Sequence, residues 1–224
     1  MSLVKQLYFS PLGYVIMVCQ RLVSPFVHKM MLYGYYNKIQ HKLFRGTRVS
    51  TSAYITNPAK LDIGDNVWIN HNVRIDASGG VKIGEGCQIG YASMILSHSS
   101  HLAIRLNGAE FIKQDIANRV GYIHKSVEIG EYTFVGGGSA IMPGVKIGKG
   151  CVIGVNSVVT RDIPDYSIVV GSPAKVIGNT IDTDKQYFSN TIVQKNYYNK
   201  EILQCIQKDV LREEDVINQT HISF

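Results

Sequence analysis

The stretch that decides the fold runs from Val127 to Thr160 and reads VEIGEYTFVGGGSAIMPGVKIGKGCVIGVNSVVT. Aliphatic residues occupy every sixth position in it: Ile129, Val135, Ile141, Ile147, Ile153 and Val159. Four positions after most of these comes a small or β-branched residue: Thr133, Ser139, Val145, Cys151 and Ser157. A period of six matches neither the helical period nor the simple alternation of a strand.

The six-residue period predicts a triangular solenoid. Each hexapeptide forms one short flat face, with its aliphatic side chain pointing inward and its small residue beside a corner. Three faces close one coil of about eighteen residues, and successive coils stack as parallel strands. Glycine directly follows four of the aliphatic residues, at Gly130, Gly136, Gly148 and Gly154. Glycine and asparagine adopt the tight or left-handed corner backbone at little cost.

This pattern resembles the hexapeptide-repeat acyltransferases. The closing segment TRDIPDYSIVVGSPAKVIG, residues 160–178, is similar to the last turn of that family. The resemblance implies a mainly β fold, a left-handed parallel β-helix shaped as a triangular prism. The left-handed sense comes from the resemblance alone, because the general preference for right-handed crossovers would predict the opposite.

Three regions are expected along the chain. Residues 1–45 form an N-terminal helical extension, interpreted as two helices broken at Ser24–Pro25. They cap the first coil or, alternatively, offer a basic amphipathic surface to a membrane. Residues 46–178 form the β-helix, with an extruded loop over 97–122 where the repeat disappears. Residues 179–224 form a tail, with a helix expected over about 198–211 from apolar residues at helical spacing.

Composition narrows the class of protein. The 224 residues suit one domain with short appendages, and the net charge of +6 favours an anionic small molecule as partner. The sequence has no basic run with interleaved aromatic residues, so nucleic acid is not expected as a partner. The four cysteines lack metal-ligand spacing, so no metal is expected. No signal peptide or membrane span is recognised, which predicts a cytoplasmic and possibly membrane-peripheral protein.

Two histidines at the start of the extruded loop are the catalytic candidates. His98 and His101 directly follow the aliphatic run that ends at Leu96. Acyl transfer from a thioester to a hydroxyl needs a base that titrates near neutral pH, which histidine provides. In the sugar O-acetyltransferases that this chain resembles, an equivalent histidine is the general base. His101 matches that position best if one inserted residue is assumed, and His98 is the second choice.

Polar residues on nearby coils are candidates for the acceptor site. His124 opens the second repeat block and either faces the site or caps a corner. The resemblance also implies acceptor contacts in an earlier coil, at Asn70, His71, Asn72 and Asp76.

The resemblance implies acetyl-CoA as the co-substrate. A pantetheine arm could lie beside the glycine-rich corners and bond to exposed backbone groups. The expected donor-site residues are Gly137, Ser139, Val155, Asn156, Thr160, Arg161, Ser172 and Lys175. Among these, Arg161 and Lys175 are candidates for the CoA phosphates, because fixed cations suit phosphate.

The sequence thus predicts an acetyl-CoA-dependent O-acetyltransferase acting on a sugar or on a precursor of O-antigen or capsule. The resemblance implies a homotrimer with active sites between subunits. One alternative is N-acetylation of an amino sugar nucleotide. Another is a γ-type carbonic anhydrase, with His98, His101 and His124 around zinc. The last is a β-helix without catalytic activity.

Overall fold

A computed structural model describes residues 10–23 and 30–206. The chain divides after Gly178 into two compact units. The helices are α1 (Pro11–Val23), α2 (Ala103–Asn107), α3 (Thr180–Asp184) and α4 (Thr191–Asn196), and residues 200–206 are also helical. Single 3-10 turns cover Pro58–Lys60, Gly108–Glu110, Ile116–Asn118 and Lys185–Tyr187.

The first unit consists mainly of very short strands. In chain order they are β1 (Met31–Asn37), β2 (Lys42–Ser50), β3 (Tyr54–Thr56), β4 (Leu61–Ile63), β5 (Trp68–Ile69), β6 (Arg74–Asp76), β7 (Val81–Ile83), β8 (Gln88–Ile89), β9 (Met94–Leu96), β10 (His98–Ser99), β11 (Ile123–His124), β12 (Val127–Ile129), β13 (Phe134–Val135), β14 (Ala140–Ile141), β15 (Lys146–Ile147), β16 (Val152–Ile153), β17 (Val158–Val159), β18 (Ser167–Gly171) and β19 (Ala174–Asn179).

From β2 onward the chain visits three sheets in rotation. Face A has the order β1-β2-β5-β8-β13-β16-β18-β19, face B has β3-β6-β9-β14-β17, and face C has β4-β7-β12-β15. The strands that stack from coil to coil are parallel. Examples on the three faces are the pairs β5 with β8, β6 with β9 and β12 with β7. The predicted three-faced parallel β-solenoid is therefore confirmed, and the left-handed sense of its coil stays a prediction. We call the corners between faces edge AB, edge BC and edge CA.

The aliphatic residues of the repeat stack into three ladders, which are buried except for the half-buried Ile55. On face A the paired residues are Ile69, Ile89, Val135, Ile153 and Val169; on face B they are Ile55, Ile75, Ile95, Ile141 and Val159; and on face C they are Ile63, Ile83, Ile129 and Ile147. Each fully buried side chain contributes about 1.5–3 kcal/mol. These ladders form the hydrophobic core of the first unit.

The small residues of the repeat fill the interior corners and bond from coil to coil. The Thr133 hydroxyl donates to the carbonyl of Gly148 at 2.9 Å. Cys87 and Cys151 occupy equivalent buried positions, and burial raises the pKa of the Cys87 thiol to about 12. Such a thiol stays protonated and acts as a small apolar filler.

The N-terminal region differs from the predicted pair of helices. Helix α1 forms, but β1 and β2 make an antiparallel hairpin where the second helix was expected. Strand β2 pairs with β5, with Val49 opposite Ile69, so the hairpin extends face A beyond the first coil. Without the hairpin, the open end of the first coil would leave backbone groups unpaired. A tyrosine-rich segment with high β propensity pairs with them, which a helix could not do. Within residues 10–23 and 30–206, no helix combines the length and the apolarity needed to cross a membrane.

The second unit has a small aromatic cluster of its own. Phe188 is buried and meets Tyr197 edge-on at 4.9 Å between ring centroids. The Tyr197 hydroxyl donates to Asp184 at 2.9 Å. Leu203 is also buried, on the helical stretch 200–206. The remainder of the helix expected over 198–211 lies outside the described residues.

Candidate active site

The extruded loop leaves the solenoid at edge BC. Strand β9 ends at Leu96, and the chain re-enters the solenoid at β12. Strands β10 and β11 form an antiparallel pair at the base of the loop, with His98 opposite His124. This short pair closes the loop and fixes both histidines beside the edge.

His98 makes a close side-chain contact with Asp76. The distance from His98 Nδ1 to Asp76 Oδ2 is 2.5 Å. Asp76 ends β6, one coil before β9, and pairs in register with Leu96. The Asp76 side chain is 12% exposed and the His98 side chain 41% exposed. The carboxylate is therefore held inside the edge, while the imidazole reaches the surface.

Five further donors hold the Asp76 carboxylate, among them the backbone N–H of Ser78, which donates to Oδ1 at 3.2 Å. Thr56 Oγ1 donates to Oδ1 at 2.9 Å, and Ser78 Oγ donates to Oδ2 at 3.0 Å. The backbone N–H of Ser97 and its hydroxyl donate to Oδ2 at 3.2 and 3.0 Å. Donors from two adjacent coils and from the start of the loop thus converge on one carboxylate.

These contacts keep Asp76 ionised. Burial raises the pKa of the Asp76 carboxyl, but hydrogen bonds from His98, Thr56 and Ser78 together outweigh burial and hold the pKa well below its usual range. An ionised carboxylate can only accept hydrogen bonds. The contacting nitrogen of neutral His98, Nδ1, must therefore carry the hydrogen. Nε2 then keeps a free lone pair and can accept a proton.

Aromatic rings complete the surroundings of His98. The Tyr122 ring stacks on the imidazole with 5.8 Å between centroids and 14° between planes. The ring centroid of His124 lies 6.4 Å from that of Tyr122. Sequence reasoning missed Tyr122, although its place just before the repeat resumes could have indicated a residue at the base of the loop. His98 is thus restrained by a carboxylate at one nitrogen and by a ring against its face.

His101 lies in a different environment from His98. It is exposed in the first turn of the loop, and its Nδ1 lies 2.7 Å from the Ser99 hydroxyl. Arg105 Nη1 donates to the His101 carbonyl at 2.6 Å. A hydroxyl orients an imidazole less strongly than a carboxylate and does not stabilise its cation to the same degree. The geometry therefore favours His98 over His101, the reverse of the order expected from the sequence.

The acceptor-site candidates divide between two edges. Asp76 joins His98 at edge BC, whereas Asn70, His71 and Asn72 form the corner between β5 and β6 at edge AB. His71 Nδ1 lies 2.6 Å from the Ser50 hydroxyl, and its ring is 5.7 Å from that of Tyr91. A single chain thus does not bring these three residues to His98.

The donor-site candidates lie mostly along edge AB. Gly137, Val155 and Asn156 belong to stacked corners between faces A and B, and Val155 is 68% exposed. Gly171, next to the exposed Ser172, donates its N–H to Ser157 at this edge at 3.1 Å. Lys175 is exposed on β19. We call this set of groups the cofactor strip; Val155, Asn156, Ser172 and Lys175 are exposed in it.

Ser139 is a correction to this set. It is fully buried, and its hydroxyl donates to the Gly154 carbonyl at 2.8 Å inside the solenoid. Its side chain is therefore unavailable to a bound cofactor, contrary to the expectation from sequence. The small-residue position of the repeat points inward, so the same pattern that located Ser139 also assigns it to the interior.

Thr160 and Arg161 lie on the same edge as His98. They are exposed after β17, two coils beyond Ser97, which is about 10 Å at the usual strand spacing.

Within residues 10–23 and 30–206, no group of three or more histidine, cysteine or acidic side chains has a geometry that could hold a metal ion. A single chain therefore gives no support to the zinc alternative.

Comparison with known proteins agrees with the repeat pattern. Residues 126–161 match the family model described as bacterial transferase hexapeptide (six repeats). The chain is 30% identical to galactoside O-acetyltransferase of Escherichia coli over 142 residues, which is 62% of this chain and 64% of the relative. The resemblance to hexapeptide-repeat acyltransferases is therefore confirmed, and this chain carries the repeat of that family.

Solved structures also show similarity to this chain. A hexapeptide-repeat acetyltransferase of Vibrio cholerae, complexed with acetyl coenzyme A, is 28% identical, with 57% of this chain and 64% of that chain covered and a TM-score of 0.49. A perosamine N-acetyltransferase of Caulobacter crescentus is 22% identical, with 59% and 57% covered and a TM-score of 0.36. The chain spans less than two thirds of the length of the curated relatives that it matches.

Proposed function

We propose that this chain is an acetyl-CoA-dependent O-acetyltransferase, and that it transfers the acetyl group to a hydroxyl of a sugar or of a surface-polysaccharide precursor. The observation that carries the proposal is the pair of His98 and Asp76 at the base of the extruded loop. We assign His98, rather than His101, as the general base. The similarity to galactoside O-acetyltransferase supports the reaction class.

The chemistry follows from the tautomer of His98. Nε2 takes the proton from the acceptor hydroxyl while the oxygen attacks the thioester carbonyl of acetyl-CoA. The ionised Asp76 stabilises the imidazolium that forms, because its carboxylate is already bonded to Nδ1–H. The tetrahedral intermediate collapses to the ester and expels the CoA thiolate, which recovers the proton from Nε2. No covalent bond to the enzyme is needed.

The placement of the donor site supports a second proposal, a homotrimer with active sites between subunits. The expected cofactor strip lies mainly on edge AB, while His98 lies on edge BC of the same chain. A neighbouring copy could supply the missing edge, with Asn70, His71 and Asn72 as its acceptor contacts. The left-handed coil belongs to the same proposal, because it rests on the family resemblance.

The extruded loop supports this assembly independently. It exposes several large apolar side chains, among them Leu106 at 61%, Ile112 at 81% and Val120 at 66%. Apolar groups concentrated on one protruding segment indicate a surface that another molecule covers. The loop therefore has the character of an arm that packs on a neighbouring copy beside the His98 site.

The function is tested by measuring thiol release from acetyl-CoA with a panel of sugars, nucleotide sugars and glycans. Release that depends on a sugar is expected, and the product should lose its acetyl group in mild alkali. An ester is lost under that treatment, whereas an amide survives and would indicate N-acetylation of an amino sugar instead. Absence of release with every acceptor would contradict the proposal.

The base is assigned by two matched variants. We expect His98→Ala to lower kcat by about 10²–10⁴-fold, the usual contribution of a general base. His101→Ala removes a similar side chain from the exposed turn of the same loop and should change kcat by less than about tenfold. The reverse pattern would reassign the base to His101, and full activity in the double variant would remove both histidines from the mechanism.

A further inference from the structure

Helix α1 differs from an ordinary surface helix, because large apolar side chains lie on its outer side and its polar side chains reach toward the protein. Its buried residues are Gly13 and Met17, and Met17 packs against Gly34 of β1. The polar side chains of the helix, Gln20 and Arg21, also turn toward the protein: Gln20 is half-buried, and Arg21 Nη2 donates to the Gly34 carbonyl at 2.5 Å. The side of α1 that faces away from the hairpin consequently lacks charge.

The outer side of α1 is covered with large apolar side chains. Leu12, Val15 and Leu22 are 57%, 54% and 71% exposed, and they share one side of the helix at intervals of three and seven residues. Tyr14, Val18 and Val23 add to the same exposed surface. Water is an unfavourable environment for such a patch, which marks a contact with an apolar phase or partner.

The charge of this part of the sequence indicates which kind of partner the helix contacts. Of the 23 Lys and Arg residues in the chain, eight lie in residues 1–61, and all 17 Asp and Glu residues lie after that point. The carboxylates of Asp62 and Asp65 bond to the hairpin, but the segment itself contains no acidic residue. A second copy of this basic segment would be repelled, whereas anionic lipid headgroups attract it. The apolar face and the surrounding charge therefore fit the two components of a bilayer surface.

We propose that α1, together with the basic β1–β2 hairpin, docks on the surface of a membrane that contains anionic phospholipid. With 13 residues, the helix is about 20 Å long, shorter than the roughly 30 Å hydrocarbon core of a bilayer. It therefore lies in the interface, with its outer side among the acyl chains and the basic residues near the headgroups. This inference does not depend on the proposed acetyl transfer, because membrane binding can be measured without a substrate.

The test is sedimentation of the full chain with vesicles. We expect binding to vesicles of phosphatidylcholine with phosphatidylglycerol, weaker binding to phosphatidylcholine alone, and a decrease as salt is raised. Leu22→Glu should lower the partition constant by about tenfold, since it removes one buried apolar side chain. The double variant Val15→Glu with Leu22→Glu should lower it further.

The matched control is Ile192→Glu on α4. Ile192 is 69% exposed and lies outside the basic region, so the same change should leave vesicle binding at the wild-type level. Unchanged melting temperatures would show that all variants fold. The proposal is overturned if the wild-type chain stays in the supernatant with both vesicles, or if Leu22→Glu binds as well as the wild type. A loss of self-association in Leu22→Glu without a loss of vesicle binding would likewise overturn it, and would assign this face to a second copy.

Discussion

At the scale of the residue, Asp76 determines what His98 can do. We expect Asp76→Asn to lower kcat by about 10²-fold or more, because a neutral amide neither stabilises the imidazolium nor fixes the hydrogen on Nδ1. Thr56→Val removes one hydrogen bond to Oδ1 but keeps the carboxylate, so its kcat should stay within about tenfold of the wild type. Steady-state kinetics on both variants checks this, and equal losses would mean that Asp76 has only a structural role.

The stability of Asp76→Asn at acid pH gives a second test of the ionisation of Asp76. Hydrogen bonds lower the pKa of Asp76 in the folded chain below its ordinary value of 3.8. The carboxylate therefore stabilises the fold above that pH and loses its contribution as the pH falls further. The difference in melting temperature between the wild type and Asp76→Asn should be constant from about pH 7 to 5 and shrink below about pH 4. A difference that does not change with pH would contradict the assigned ionisation.

At the scale of the element, the coils approach each other too closely for a side chain at certain corners. A Cβ added at Gly130 would lie 2.5 Å from the backbone of both Gly148 and Lys149 on the next coil. We expect Gly130→Ala to lower the free energy of unfolding by about 1–3 kcal/mol through this overpacking. Gly178→Ala is the control, because its Cβ would meet Ile168 at an ordinary 3.6 Å. Urea denaturation of both variants measures the difference, and equal stabilities would mean that the corner can relax.

The same scale explains what the sequence could predict. The six-residue period predicted the three faces, because each hexapeptide forms the same short strand and corner. Parallel pairing with the next coil then stacks these units. The β1–β2 hairpin was not predicted, since its formation depends on the open end of the first coil rather than on its own pattern. The pair of His98 and Asp76 also escaped the sequence reasoning, because it joins two coils whose separation includes the extra residues at Gly79–Gly80. Counting along the ladder from Asp76 to Leu96 would have indicated it.

At the scale of the whole molecule, the proposed active site is divided between two edges of the prism. His98 and Asp76 belong to edge BC, and Gly137, Val155 and Asn156 belong to edge AB. A rigid solenoid cannot bend one edge onto another, since each coil is fixed by its neighbours. The proposed enzyme therefore needs edges from two chains at each site, which makes catalysis depend on assembly.

That dependence can be measured by mixing two inactive chains. His98→Ala removes the base, and Val155→Trp obstructs the exposed cofactor strip without changing the core. Each variant alone should lose most acetyl transfer. When the two are co-expressed in equal amounts, sites formed by the base of one chain and the strip of another should restore on the order of a quarter of wild-type activity. The control is the double variant, with His98→Ala and Val155→Trp on one chain. It should stay inactive when co-expressed with either single variant, because every mixed site then lacks the base or the open strip. No recovery in the mixed oligomer would mean that each chain holds a complete site, and a monomer in sedimentation equilibrium would remove the shared site altogether.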